Sequence, residues 1–296
     1  MPDSVRTEHY IPARSAAPPC TVDITPESAG WSESSLRVVE LDADAALALH
    51  TERDEVMILP LAGGGSIECM HETFELSSRA SVFDGPSDMV YLGIGQSYRL
   101  RGTGRFAICG ARAEVSLPNR RVAAADVPVE LRGAGNCSRQ VHNFGAADTF
   151  EAASLIAVEV ITPAGNWSSY PAHKHDEHSA VESELEEIYY FEIADGTAGP
   201  GFGYHRVYGT PERPIDVLAE VRTGDVVLVP HGYHGPSMAA PGFHMYYLNV
   251  MAGPERAWRV TFDPAQDWVR GTWADQSVDP RLPLHRPTSI ATARGA

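Results

Sequence analysis

The chain has 296 residues, a net charge of −16 and a hydrophobic content of 43%. So acidic a protein repels nucleic acid and anionic lipid, and no apolar run approaches the ~20 residues that a membrane-spanning helix needs. The first residues carry no basic stretch followed by an apolar segment, so no secretory leader is expected and a cytoplasmic protein is.

Length sets a prior of two domains. The four cysteines, Cys20, Cys69, Cys109 and Cys137, are scattered without a Cys-x-x-Cys pair. Free buried thiols are therefore expected rather than a disulfide framework or a zinc knuckle. The basic residues are 22 arginines and a single lysine, Lys174. An anionic small substrate remains compatible with the net charge, because one or two local arginines suffice to hold it.

Residues 1–30, rich in Pro, Ser and Ala, have no period and read as an N-terminal arm, disordered or draped over the body. Residues 31–125 read as a first β domain. Strand-like runs at 37–41, 55–60, 65–69, 73–76, 80–83, 88–92, 97–101 and 105–111 are separated by Gly-Gly-Gly, Asp-Gly-Pro and Gly-Thr-Gly. Short strands at such spacing indicate a sandwich or barrel. Residues 42–50 could instead make two helical turns. His50 and His71 are isolated from one another and read as structural, so this domain is expected to be free of metal.

Pro, Arg-Arg and Gly-rich pieces over 112–150 mark the crossing between halves, with 140–143 as a short strand. Residues 126–253 read as the second domain, with runs at 154–161, 169–175, 187–193, 203–208, 216–221, 225–229 and 244–250. The two halves read as one architecture used twice. Residues 254–296 read as an arm and tail, in which Trp258, Phe262, Trp268 and Trp273 suggest a short helix or a packing arm.

The chemistry concentrates in the second half. Eight of the twelve histidines lie between His142 and His244. His173 and His175 are two residues apart, so on a strand both imidazoles face one side. Glu187 opens an aromatic strand-like run, and His234 follows a Pro-x-Gly turn. Three nitrogens and one carboxylate oxygen suit a divalent first-row metal with positions to spare. The competing explanation is a surface histidine pair beside a solvated acidic loop containing Glu182, Glu184, Glu186 and Glu187. The clustering of histidines, and the separate strand-turn unit that carries His234, favour the metal. Lys174 lies between the two histidines, and alternation turns it to the opposite face, which argues against Schiff-base chemistry.

This constellation resembles the two-motif signature of the cupin superfamily. Gly165, His173, His175 and Glu187 fill the first motif; Gly224, Pro230, Gly232 and His234 fill the second. Eleven residues separate His175 from Glu187 where three or four are usual, as an inserted loop at 176–186 would explain. The second motif has one residue fewer than is common before its histidine. The segments 135–143, 165–171, 185–190, 224–234 and 246–254 are similar to the 5-deoxy-glucuronate isomerases of myo-inositol breakdown, and the likeness covers roughly residues 30–283. It implies an all-β tandem cupin (bicupin) of two jelly-roll barrels. It also implies aldose–ketose isomerisation of 5-deoxy-D-glucuronate to 5-dehydro-2-deoxy-D-gluconate.

That reaction builds negative charge on two adjacent oxygens, which a divalent ion with open positions stabilises as a Lewis acid. The expected cofactor is one such ion, Zn, Mn, Fe or Ni, held by His173, His175, Glu187 and His234. Tyr189 shares a face with Glu187, and Tyr247 with Asn249. The two tyrosines are candidates for proton transfer and Asn249 for a substrate hydroxyl, with core packing as the alternative. Arg206, flanked by Tyr204 and Tyr208, is the candidate anchor for a substrate carboxylate; Arg139 reads as a structural ion pair. His205, His231 and His244 read as structural or supporting, and His178 as exposed. Partners are expected to be a small anionic sugar acid and further copies of the chain, with no nucleic acid and no membrane. An Fe(II) cupin dioxygenase and a non-catalytic sugar-acid-binding cupin are the alternative functions.

Overall fold

The computed structural model describes residues 7–197 and 199–284. Nearly everything regular in it is antiparallel strand, arranged in three sheets. Among the described residues no helix is long and apolar enough to cross a membrane.

The first half is dominated by three long strands, Ser34–His50, Asp54–Cys69 and Ser97–Arg112. The helix-like stretch at 42–50 is thus strand, paired residue for residue from Ala45↔Gly102 to His50↔Ser97. Propensity there yields to ladder pairing. The Gly-Gly-Gly and Gly-Thr-Gly pieces, expected to be separators, lie inside these strands. A Cβ on Gly63 would sit 1.9 Å from the Thr103 carbonyl oxygen, and one on Gly104 2.1 Å from that of Ala62. The glycines therefore let two bulged strands pass at close range, and register shifts fall at these places. Bending brings both ends of the same strands onto one core, where Val39, Ile58, Ile67, Leu100, Phe106 and Ile108 meet.

The second half is a sandwich of two sheets. One contains Glu186–Ile193, Val226–Val229, Met245–Ala252, Ile156–Thr162 and Arg139–Gly145. The other contains Gly203–Tyr208, Asp216–Val221, Tyr233–Ala239 and the two-residue strand His173–Lys174. Inward residues such as Val158, Tyr189, Phe191, Val207 and Tyr247 form its core. The opposite face of the first sheet presents Ile188, Tyr190, Leu228, Leu248 and Val250 to Leu36, Val38, Met57 and Leu59 of the first half, in one continuous cluster. Burial on both faces explains why Met245–Ala252 is buried along its whole length.

The strand Tyr233–Ala239 had no counterpart in the sequence reading, because Gly235 and Pro236 look like a break. His205 pairs with Ser237 and Val207 with His234, so Gly235 and Pro236 form a bulge opposite Arg206. A bulge is where a residue lacking N–H is tolerated within a ladder.

Described segments toward both ends of the chain join the body. Tyr10–Ile11 pairs with Val226–Val227 at an edge of the second half, and Cys20–Ile24 pairs with Ser34–His50. Thr261–Phe262 pairs with His173–Lys174, and a single helical turn, Trp268–Gly271, follows. Of the expected extended tail, residues 285–296 lie outside the described residues.

Candidate metal centre

His173 and His234 are direct partners on neighbouring strands of one sheet. Glu187 projects from the facing sheet, and His175 follows the short strand His173–Lys174. All four are buried. One ring nitrogen from each of the three histidines lies within 4.8 Å of the others. Glu187 Oε2 is 2.9 Å from His175 Nε2 and 2.9 Å from His234 Nε2, and those two nitrogens are 3.1 Å apart.

The backbone fixes which nitrogen faces the centre. His175 Nδ1 donates to the Leu185 carbonyl at 3.2 Å, and His234 Nδ1 donates to that of Gly232 at 2.8 Å. Each Nε2 therefore turns inward, toward a carboxylate oxygen, where it can carry either a proton or a metal ion. Three such atoms this close repel unless a proton or a metal cation sits among them, and a buried trio of this kind suits a divalent metal. The buried histidine triad could hold such an ion.

Charge follows the same geometry. Burial disfavours the ionised Glu187, but hydrogen bonds from His175 and His234 outweigh it and hold the carboxyl well below the usual range. Burial and the neighbouring His234 and His175 push His173 well below the ordinary imidazole value. Burial lowers His175 too, yet its bond to Glu187 prevails and leaves it raised. A Cβ on Gly235 would lie 2.9 Å from His173 Cε1 and 2.5 Å from the Ser169 carbonyl oxygen, so this position beside the site, at φ +105°, requires glycine.

The long interval between His175 and Glu187 is a closed loop. Asp176 bridges Glu184, and the Leu185 N–H donates to the His175 carbonyl at 2.9 Å. Lys174 turns away from the histidines and donates to Asp176, Glu177 and Glu182, each at 2.8 Å. Asp176 in turn accepts from the Gly232 N–H at 2.8 Å, tying the loop to the turn that precedes His234. His178 is exposed in this loop. The adjacent glutamates have opposite employment: Glu186 points out of the barrel and accepts from the backbone N–H groups of Ser32, Glu33 and Ser34 at 2.7–2.9 Å.

Around the histidines the inner face is polar. The Tyr247 hydroxyl is 2.8 Å from Ser169 Oγ and 3.0 Å from Ser168 Oγ. Tyr189 packs beside Tyr247 with ring centroids 5.2 Å apart, and burial with the nearby Glu187 charge raises its hydroxyl pKa well above the ordinary value. Asn249 is the cross-strand partner of Tyr189, and its Nδ2 is buried without a protein partner.

One placement differs from expectation. Arg206 is not brought to this interior. Alternation puts His205 and Val207 inside and Arg206 outside, where it bonds Asp216 and the Val207 and Val217 carbonyls and lies over the Tyr208 ring. His205, read as supporting, packs 4.4 Å from the Tyr189 ring; its Nδ1 meets Ser237 Oγ at 2.8 Å and its Nε2 has no protein partner. Burial, with the nearby His234, pushes it down to about 3, so it is neutral. The inward period of Gly203, His205 and Val207 was the available signal for it. His142, by contrast, is held between Glu159 and Gln140, away from the histidine trio.

The architecture is that of a bicupin. Among solved structures the chain is similar to an oxalate decarboxylase from Lactobacillus farciminis, with TM-score 0.61 over 88% of this chain and 89% of that one. At 10% identity this is a likeness of fold alone. The particular family follows from nearer matches: residues 9–269 fit the KduI/IolB family model, and the chain belongs to that family. It is similar to the 5-deoxy-glucuronate isomerase of Geobacillus thermodenitrificans, 43% identical across 84% of this chain and 90% of that protein. The enzyme of the same name from Bacillus subtilis is 37% identical across 83% and 91%. An IolB-like protein from Salmonella typhimurium has TM-score 0.82 and 34% identity, covering 88% of this chain and 98% of that one.

Proposed function

We propose that this chain is a metal-dependent aldose–ketose isomerase converting 5-deoxy-D-glucuronate to 5-dehydro-2-deoxy-D-gluconate in inositol breakdown. The observation that carries this reading is the likeness to enzymes named 5-deoxy-glucuronate isomerase over more than four-fifths of the chain. The convergent histidines and Glu187 support it, since isomerisation needs charge stabilisation at two adjacent oxygens.

In this reading His173, His175, Glu187 and His234 hold one divalent ion, which supplies Lewis acidity when bound. Tyr189, buried and protonated at neutral pH, presents its hydroxyl proton beside Glu187. Tyr247, bonded to Ser169, packs beside Tyr189, and these hydroxyls move a proton between the two carbons. The free Nδ2 of Asn249 donates to a substrate hydroxyl. The buried walls from Tyr189, Phe191 and Tyr247 keep bulk water from the reacting carbons.

The test is turnover of 5-deoxy-D-glucuronate followed by proton NMR in deuterated buffer. The expected result is conversion with solvent deuterium in the product, loss of activity on chelation and recovery with a divalent metal. Tyr189→Phe is expected to slow turnover about 100-fold or more while metal is retained, the scale of a lost general acid or base. Oxygen consumption in place of isomerisation would overturn the reading.

A further inference from the structure

We propose that Arg139 anchors the carboxylate of the sugar-acid substrate, a role that rests on the isomerase reading above. Arg139 begins the strand Arg139–Gly145. Val141 on that strand belongs to the core of the metal-bearing barrel, so alternation places Arg139 on the same inner face. Its guanidinium carries five N–H donors. The single hydrogen bond it makes among the described residues runs from Nη1 to the Cys137 carbonyl at 3.2 Å.

Most arginines of this acidic chain are paired with a carboxylate; Arg139 has none within ion-pair distance among the described residues. Glu130, whose charge reaches it, is already bound to Arg132 at 2.8 Å. Val141, the next inward residue of its strand, pairs with Val160, and Val160 pairs with Tyr247, so Arg139 lies at the rim of the interior that Tyr247 lines. On its other side Trp273 packs against it, with the ring centroid 5.8 Å from Cζ. A half-buried guanidinium with free donors and no carboxylate at ion-pair distance among the described residues is ready to take an anion. A planar fork beside an aromatic ring matches a carboxylate. Arg206, the alternative from the sequence, already has Asp216.

The experiment compares the unaltered protein with Arg139→Met and Arg139→Lys, each loaded with metal. For 5-deoxy-D-glucuronate, Arg139→Met is expected to raise KM about 100-fold with a smaller change in kcat, the scale of lost charged hydrogen bonds. Arg139→Lys is expected to fall between, because it keeps charge without the fork. The neutral analogue 5-deoxy-D-glucose is expected to be handled alike by all three, and metal content to be unchanged. A merely structural arginine would lower both substrates together. Calorimetry with D-glucuronate makes the same comparison without turnover. Binding by the unaltered protein that vanishes in Arg139→Met supports the anchor even if isomerisation is absent. Equal glucuronate binding by both, or by neither, overturns it.

Discussion

The two barrels share one plan of construction and differ in what they turn inward. In the first, Val39, Ile58, Leu100, Phe106 and Ile108 fill the interior with hydrocarbon. In the second, His173, His175, Glu187, His205, His234 and Asn249 are buried in a sandwich of the same kind. Even an acidic turn of the first half is employed differently. Asp88 spends its carboxylate on the Ser77 and Ala124 N–H groups and on Arg121. The lesson is one of divided labour. Unpaired buried polar atoms cost stability, and the second barrel carries Asn249 Nδ2 and His205 Nε2 in that condition. The first barrel packs against it through a shared apolar cluster and holds its sheet in place.

The contrast is broken most severely at Glu187. Glu187→Gln is expected to lower metal affinity at least about 100-fold, beyond the usual effect of residues that merely support ligands, as read by metal titration. Glu186→Gln, one residue away, is expected to keep the metal. It should instead lose about 1–3 kcal/mol of stability, because three backbone N–H groups lose a charged acceptor. If the two variants behave alike, inward and outward faces are not what divides their roles.

A second prediction concerns the joint between barrels. Arg79 of the first half meets Glu159 of the second in a buried pair, with His142 and Tyr246 on the same carboxylate. Arg79→Met is expected to cost about 3–5 kcal/mol in chemical denaturation, since it strands a buried charge. Burial opposes ionisation of Glu159, but Arg79 and His142 prevail and hold it at about 2, below its ordinary 4.5. A carboxyl depressed on folding contributes stability above pH 4.5 that is lost as pH falls toward 2. The unaltered protein is expected to show that acid loss, and Arg79→Met a smaller one. The mildest expectation is for Arg206→Ala. Its partner Asp216 is 83% exposed, so the change should cost less than about 1 kcal/mol and leave KM as it was.

Much of this was legible in the sequence, for identifiable reasons. Period-two alternation gave most strands of the second half within a residue or two, and a His-x-His pair on a strand carries its own direction. The same alternation separates Glu187, which turns inward, from Glu186, which turns outward. Glycine misled, because its usual meaning as punctuation hid its use in bent strands at Gly63 and Gly104, and in the bulge at Gly235. Arg206 turns outward for a related reason: a strand shows which side chains share a face but not which face turns inward. That Arg139 has no carboxylate at ion-pair distance among the described residues is visible only in three dimensions.

The pairing of Thr261–Phe262 with His173–Lys174 has a consequence for biosynthesis. His173 is flanked by His234 on one side and Phe262 on the other. A nascent chain must be translated past residue 262 before that strand has both its neighbours. Completion of the histidine pocket is thereby deferred until the segment that carries Phe262 has left the ribosome.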